Sequence, residues 1–149
     1  MSTRPLETSS VRSAGAPRLF KITATLTFVL GVLLHGARLL LGFDRLLRDF
    51  FTPPVDVAFG VLILVAAVSG VMSWRRYSGG RVGRFLYGVA MFILILSVPI
   101  HFRTLLTWST EYVRAFPSWY SVIEVPMFLA LSILVPQLKF DSAAASLRR

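Results

Sequence analysis

Six ionisable side chains lie inside or at the ends of long apolar runs: His35, Arg38, Asp56, His101, Arg103 and Glu124. His35 and Arg38 are set within TFVLGVLLHGARLLLG, residues 27–42, and Glu124 is flanked by Val122, Ile123 and Val125. A charge held in hydrocarbon costs about 2.5–3.5 kcal/mol on insertion scales, so a spanning segment rarely keeps one without a use for it. An imidazole beside a carboxylate can pass a proton or grip a polar ligand. Two imidazoles from two helices can be the axial ligands of one b-type haem, and with a carboxylate they can hold a metal. The chain has two histidines and no cysteine, which excludes disulfides, iron–sulfur clusters and thiolate metal sites. It has no His-x-x-x-His spacing, hydrolase triad, P-loop or dinucleotide fingerprint. No residue is therefore assigned as catalytic or as a metal ligand.

Each of the six also has a plainer explanation. Arg38 and Arg103 can snorkel to the membrane interface. Asp56 can cap the segment opened by Pro53 and Pro54, and His101, near a helix end, can bond to headgroups. His35 and Glu124 have apolar neighbours on both sides, so for them the alternative is a structural pair, Glu124 with His35 or with Arg38, locking the bundle.

The elements that must position these groups are membrane spans. The chain of 149 residues is 55% hydrophobic with a mean hydropathy of +0.69. Its apolar runs predict four helices, over residues 19–42, 55–74, 85–102 and 119–138, at about 20 residues per crossing. The fold expected is all-α: four transmembrane helices in an up-down bundle, with two short interfacial helices at residues 43–51 and 103–116. Residues 1–18, rich in Ser, Thr, Arg and Pro, read as a disordered tail, and residues 139–149 as a short polar one. On the first helix, Ala24, Thr27, Gly31, His35, Arg38 and Gly42 form a small-and-polar stripe of the kind that faces neighbouring helices.

Net charge is +9, and its distribution decides what it means. Eleven cations fall in the two tails and the turn after the second span, against Glu7 and Asp141; the remaining cations and acids cancel. One side of the membrane carries the whole excess, which predicts a multi-pass protein of the cell membrane with both termini cytoplasmic. Such loops are ordinary in membrane proteins, so nucleic acid is not expected as a partner.

Sliding the chain by 66 residues pairs His35 with His101 and gives nine identities between residues 18–50 and 84–116. This predicts two copies of one helical hairpin, related by an axis along the membrane normal. Counting rise per residue puts both histidines about 24 Å from the inner boundary of a core about 30 Å thick. Asp56 and Glu124 fall in the same outer layer.

One polar site in the outer half of the bundle is thus expected, built from His35, Arg38, Asp56, His101, Arg103 and Glu124. Its uses divide three ways. It can bind a lipid-like or quinone-like amphiphile. It can carry haem b between the histidines, with Gly31 and Ser97 leaving space for the ring, or a metal, as a membrane redox protein. Or the chain is a non-catalytic membrane subunit packing against a larger partner or further copies of itself.

Overall fold

The computed structural model describes the backbone of residues 8–141 and side chains from residue 15; the expectations for residues 1–7 and 142–149 fall outside this range. Five α-helices follow in order: α1 (Thr8–Leu41), α2 (Phe43–Asp49), α3 (Pro53–Ser73), α4 (Arg81–Thr107) and α5 (Ser118–Leu134). Three 3-10 turns, Trp74–Arg76, Glu111–Ala115 and Val135–Gln137, complete the path. α1, α3, α4 and α5 supply four segments long and apolar enough to cross a membrane. The chain is an all-α bundle of four such helices. Among the described residues the one piece of β pairing is a bridge between Tyr77 and Phe140.

Local chemistry sets the boundaries. Gly42 takes φ +77, a left-handed value that costs glycine little, and turns α1 into α2. Pro53 opens α3, where a missing N–H is harmless. Trp108 closes α4 in the left-handed region, its N–H bonding back to the Thr104 carbonyl. Two hydroxyls buried within helices are satisfied on their own backbone, Thr27 on Thr23 and Ser69 on Val65.

Two expectations change. Residues 8–18 are helical rather than a disordered tail, because extending a helix is far cheaper than starting one. The second interfacial helix does not form as a unit. α4 runs on to Thr107, past Pro99, and only Glu111–Ala115 remains as a 3-10 turn. The interfacial helix at Phe43–Asp49 forms as expected, with Leu46 buried beneath it.

α1 packs along both α3 and α5, and α3 packs along α4, whereas α4 and α5 barely meet. The core joins Phe20, Ala24 and Phe28 of α1 to Ile63 and Ala66 of α3, Tyr87 and Leu94 of α4, and Phe128 and Leu131 of α5. Small residues leave room for neighbouring side chains: a Cβ on Gly70 would lie 2.2 Å from the Met91 sulfur. At the end of the bundle holding the termini, Tyr77 stacks on Tyr87, and Phe20 and Phe140 meet the Tyr87 ring edge to face. Backbone bonds from Ser78 to Lys139 and from Asp141 to Arg76 tie that end shut. Leu33, Val68, Phe92 and Ile123 point outward, as side chains meant for lipid do.

The two hairpins are not packed alike. α1 and α3 lie together, but α4 and α5, their counterparts in the 66-residue match, are held apart by the cavity described next.

Candidate functional site

At the end of the bundle away from the termini, each histidine meets a carboxylate on a neighbouring helix. His35 on α1 places Nδ1 2.7 Å from Glu124 Oε2 and 3.0 Å from Ser121 Oγ, both on α5. His101 on α4 bonds through Nδ1 to Asp56 on α3. Each imidazole is therefore paired with the acid of the other half of the chain. Asp56 is 0% exposed and also accepts from the Thr104 hydroxyl and, at 2.9 Å, from the Tyr112 hydroxyl. It does not cap α3, whose N-cap is Thr52.

Aromatic edges fix the rings: Phe128 and Tyr120 against His35, Phe59 and Phe51 against His101. The Tyr112 phenol sits in the loop beyond α4, where burial, and then the charge of Asp56, push its pKa well above the ordinary tyrosine range. Arg38 is 4% exposed, lies over the Phe43 ring and donates through a terminal nitrogen to the Phe116 carbonyl. It does not snorkel; its guanidinium is folded under the loops that cover the bundle.

Both histidines and Glu124 line one cavity of about 100 Å³. Its upper wall carries His35, Arg38, His101, Tyr112 and Glu124; below them it is closed by Phe28, Ile63, Ile93, Leu94 and Phe128. On this wall Arg38 Nε is buried without a hydrogen-bond partner. Glu124 Oε2 is buried too, and its contact is the ion pair with His35 Nδ1 at 2.7 Å, a nitrogen that is also within hydrogen-bond reach of the Ser121 hydroxyl. A buried donor left unsatisfied costs about 1–3 kcal/mol. Such a group calls for an explanation in what the space is built to receive.

Of the six residues expected at the site, His35, Arg38, His101 and Glu124 line the cavity, and Asp56 stands directly behind His101. Arg103 does not join them: it is exposed on the outside of α4. The space the haem reading needed beside Gly31 is taken, since the Phe128 ring lies 2.7 Å from where a Cβ would stand. Among the described residues no three His, Asp or Glu side chains come together as metal ligands would.

Sequence reasoning missed Thr104, Ser121, Tyr112 and Tyr120. Thr104 and Ser121 had a usable signal, because each lies three residues from His101 or Glu124 and so on the same helical face. Tyr112 had none; it reaches Asp56 only because the loop folds back over the bundle.

Comparison with known proteins finds no matching family model, no similar curated protein and no similar solved structure.

Proposed function

We propose that this chain is a multi-pass protein of the cell membrane, with both termini cytoplasmic, that binds a small lipid-like or quinone-like amphiphile in its outer half. One observation carries this reading. A single cavity presents a buried donor with no hydrogen-bond partner, Arg38 Nε, beside the Glu124 carboxylate and two imidazoles, each held by a carboxylate. A head bearing an oxygen acceptor satisfies that donor, a hydroxyl beside it can share the Glu124 carboxylate, and the apolar lower wall suits the chain attached to it. The excess of arginine and lysine at the end carrying the termini supports the orientation.

The test is binding of monoolein and of a short-chain benzoquinol to the purified protein in lipid nanodiscs, read by native mass spectrometry. His35→Ala, His101→Ala and Glu124→Gln should each weaken retention of at least one probe by roughly tenfold, the worth of about one buried hydrogen bond. Leu33→Ala, on the lipid face of α1, should leave it unchanged. Equal retention by all four variants, or by none including the parent chain, overturns the reading.

A further inference from the structure

α4 and α5 face each other across the cavity without packing together. Ile93, Ser97, Ile100 and His101 of α4 look across it at Tyr120, Glu124 and Phe128 of α5. α4 touches the chain beyond α5 at the far end, through the 3-10 turn Val135–Gln137 and the edge-to-face rings of Tyr87 and Phe140. The two helices are thus pinned at the end holding the termini and parted where the polar groups lie. Both also carry an interior proline at the level of the cavity, Pro99 between Ser97 and His101, and Pro126 between Glu124 and Phe128. A proline removes one helical hydrogen bond and crowds the carbonyl four residues before it, so each helix is weakest beside the gap. The other seams are closed, α1 packing on α3 and α5, and α3 on α4. Over the top, Leu46 and Phe51 are buried and the Phe116 backbone is tied to Arg38.

We infer that the cavity opens sideways into the bilayer between α4 and α5, so that a ligand enters from the lipid and leaves its chain lying in the seam. The occupant of the seam is a single acyl or isoprenoid chain. The physical grounds are that α4 and α5 both line the cavity yet barely touch, that Ile93, Ile100 and Phe128 give them apolar surfaces there, and that the same two helices carry His101 and Glu124, which would hold the head. This deepens the binding reading above and rests on it. It adds that the ligand is drawn from the membrane, and that chain length is not limited by the cavity volume of about 100 Å³.

A chain-length series separates the two ideas. Monooctanoin, monolaurin and monoolein are offered to the protein in nanodiscs, with His35→Ala as the control for head recognition. An open seam predicts that all three are retained in the parent chain and weakened by His35→Ala, with monoolein held at least as well as monooctanoin. A closed cavity predicts that retention collapses, tenfold or more, as the chain outgrows it; that result overturns the lateral opening and leaves the binding reading standing. Failure of all three to bind overturns both. A monoolein analogue with a diazirine at the chain terminus gives the position directly. Crosslinks on the parts of α4 and α5 that border the seam support the inference. Crosslinks confined to α2 and the Glu111–Ala115 turn, or to a second copy of the chain without any on α4 and α5, refute it.

Discussion

Asp56 sits at the centre of a buried hydrogen-bonded set. It is fully buried and accepts from an imidazole and two hydroxyls. Removing one partner of a buried set strands the others, so Asp56→Ala should lower stability by about 3 kcal/mol or more. Asp44, paired with Arg114 on the surface, is the contrast: its side chain is 83% exposed, and Asp44→Ala should cost about 0.5 kcal/mol or less. Thermal or denaturant unfolding in one detergent compares them. Tyr112 makes a pH prediction. Its folded pKa is raised, so the stabilisation it brings is whole below the ordinary tyrosine value of 10.0 and is lost as the pH climbs toward the folded value. The parent chain should therefore lose stability above about pH 10 faster than Tyr112→Phe, which lacks the ionisable hydroxyl. Parallel alkaline profiles for the two would remove Tyr112 from the account.

Between elements, the spacing of the helices is set by a few small residues. Gly70 lies under Met91 and the Phe20 ring, where α3 meets α4 and α1. Gly70→Val overfills that contact and should cost about 1–3 kcal/mol. Gly88, also within a spanning helix, has nothing within 4 Å of a built Cβ. Gly88→Ala should be neutral or stabilising by up to about 1 kcal/mol through helix propensity. Similar losses from both substitutions would mean that the close approach at Gly70 is not what holds α3 and α4 together. Gly31 also gives room to a side chain, the Phe128 ring, but that ring borders the cavity. Gly31→Leu should drive that ring into the cavity and weaken retention of monoolein more than it lowers the unfolding temperature.

For the whole molecule, the prediction is orientation. The chain has no cysteine, so single introduced cysteines report cleanly. Ser78→Cys and Ala115→Cys lie at opposite ends of the bundle, on exposed positions. A membrane-impermeant maleimide applied to intact cells should label Ala115→Cys, and should reach Ser78→Cys only after the membrane is opened. The reverse pattern would invert the protein and put the cavity in the cytoplasmic half.

Much of this protein is written in local sequence. Spans, their number and the ends that share a side follow from apolar run length and from where arginine and lysine collect, because hydrocarbon penalises charge wherever the rest of the chain goes. The depth of His35, His101, Asp56 and Glu124 is equally local, since a helix advances by a constant rise. So is the inward face of α1, where Ala24, Thr27, Gly31 and Arg38 are buried as their spacing implied. Periodicity does not say which helix lies beside which. It left open whether Glu124 would meet His35 or Arg38, and whether Asp56 would cap a helix or bind an imidazole. Packing decided both, bringing α5 against α1 and α4 against α3. It also turned Arg103 outward, carried Tyr112 over Asp56, put Phe128 in the space beside Gly31 and parted α4 from α5. These are contacts between residues far apart in the chain. They are settled by how whole surfaces fit together, which no single segment encodes.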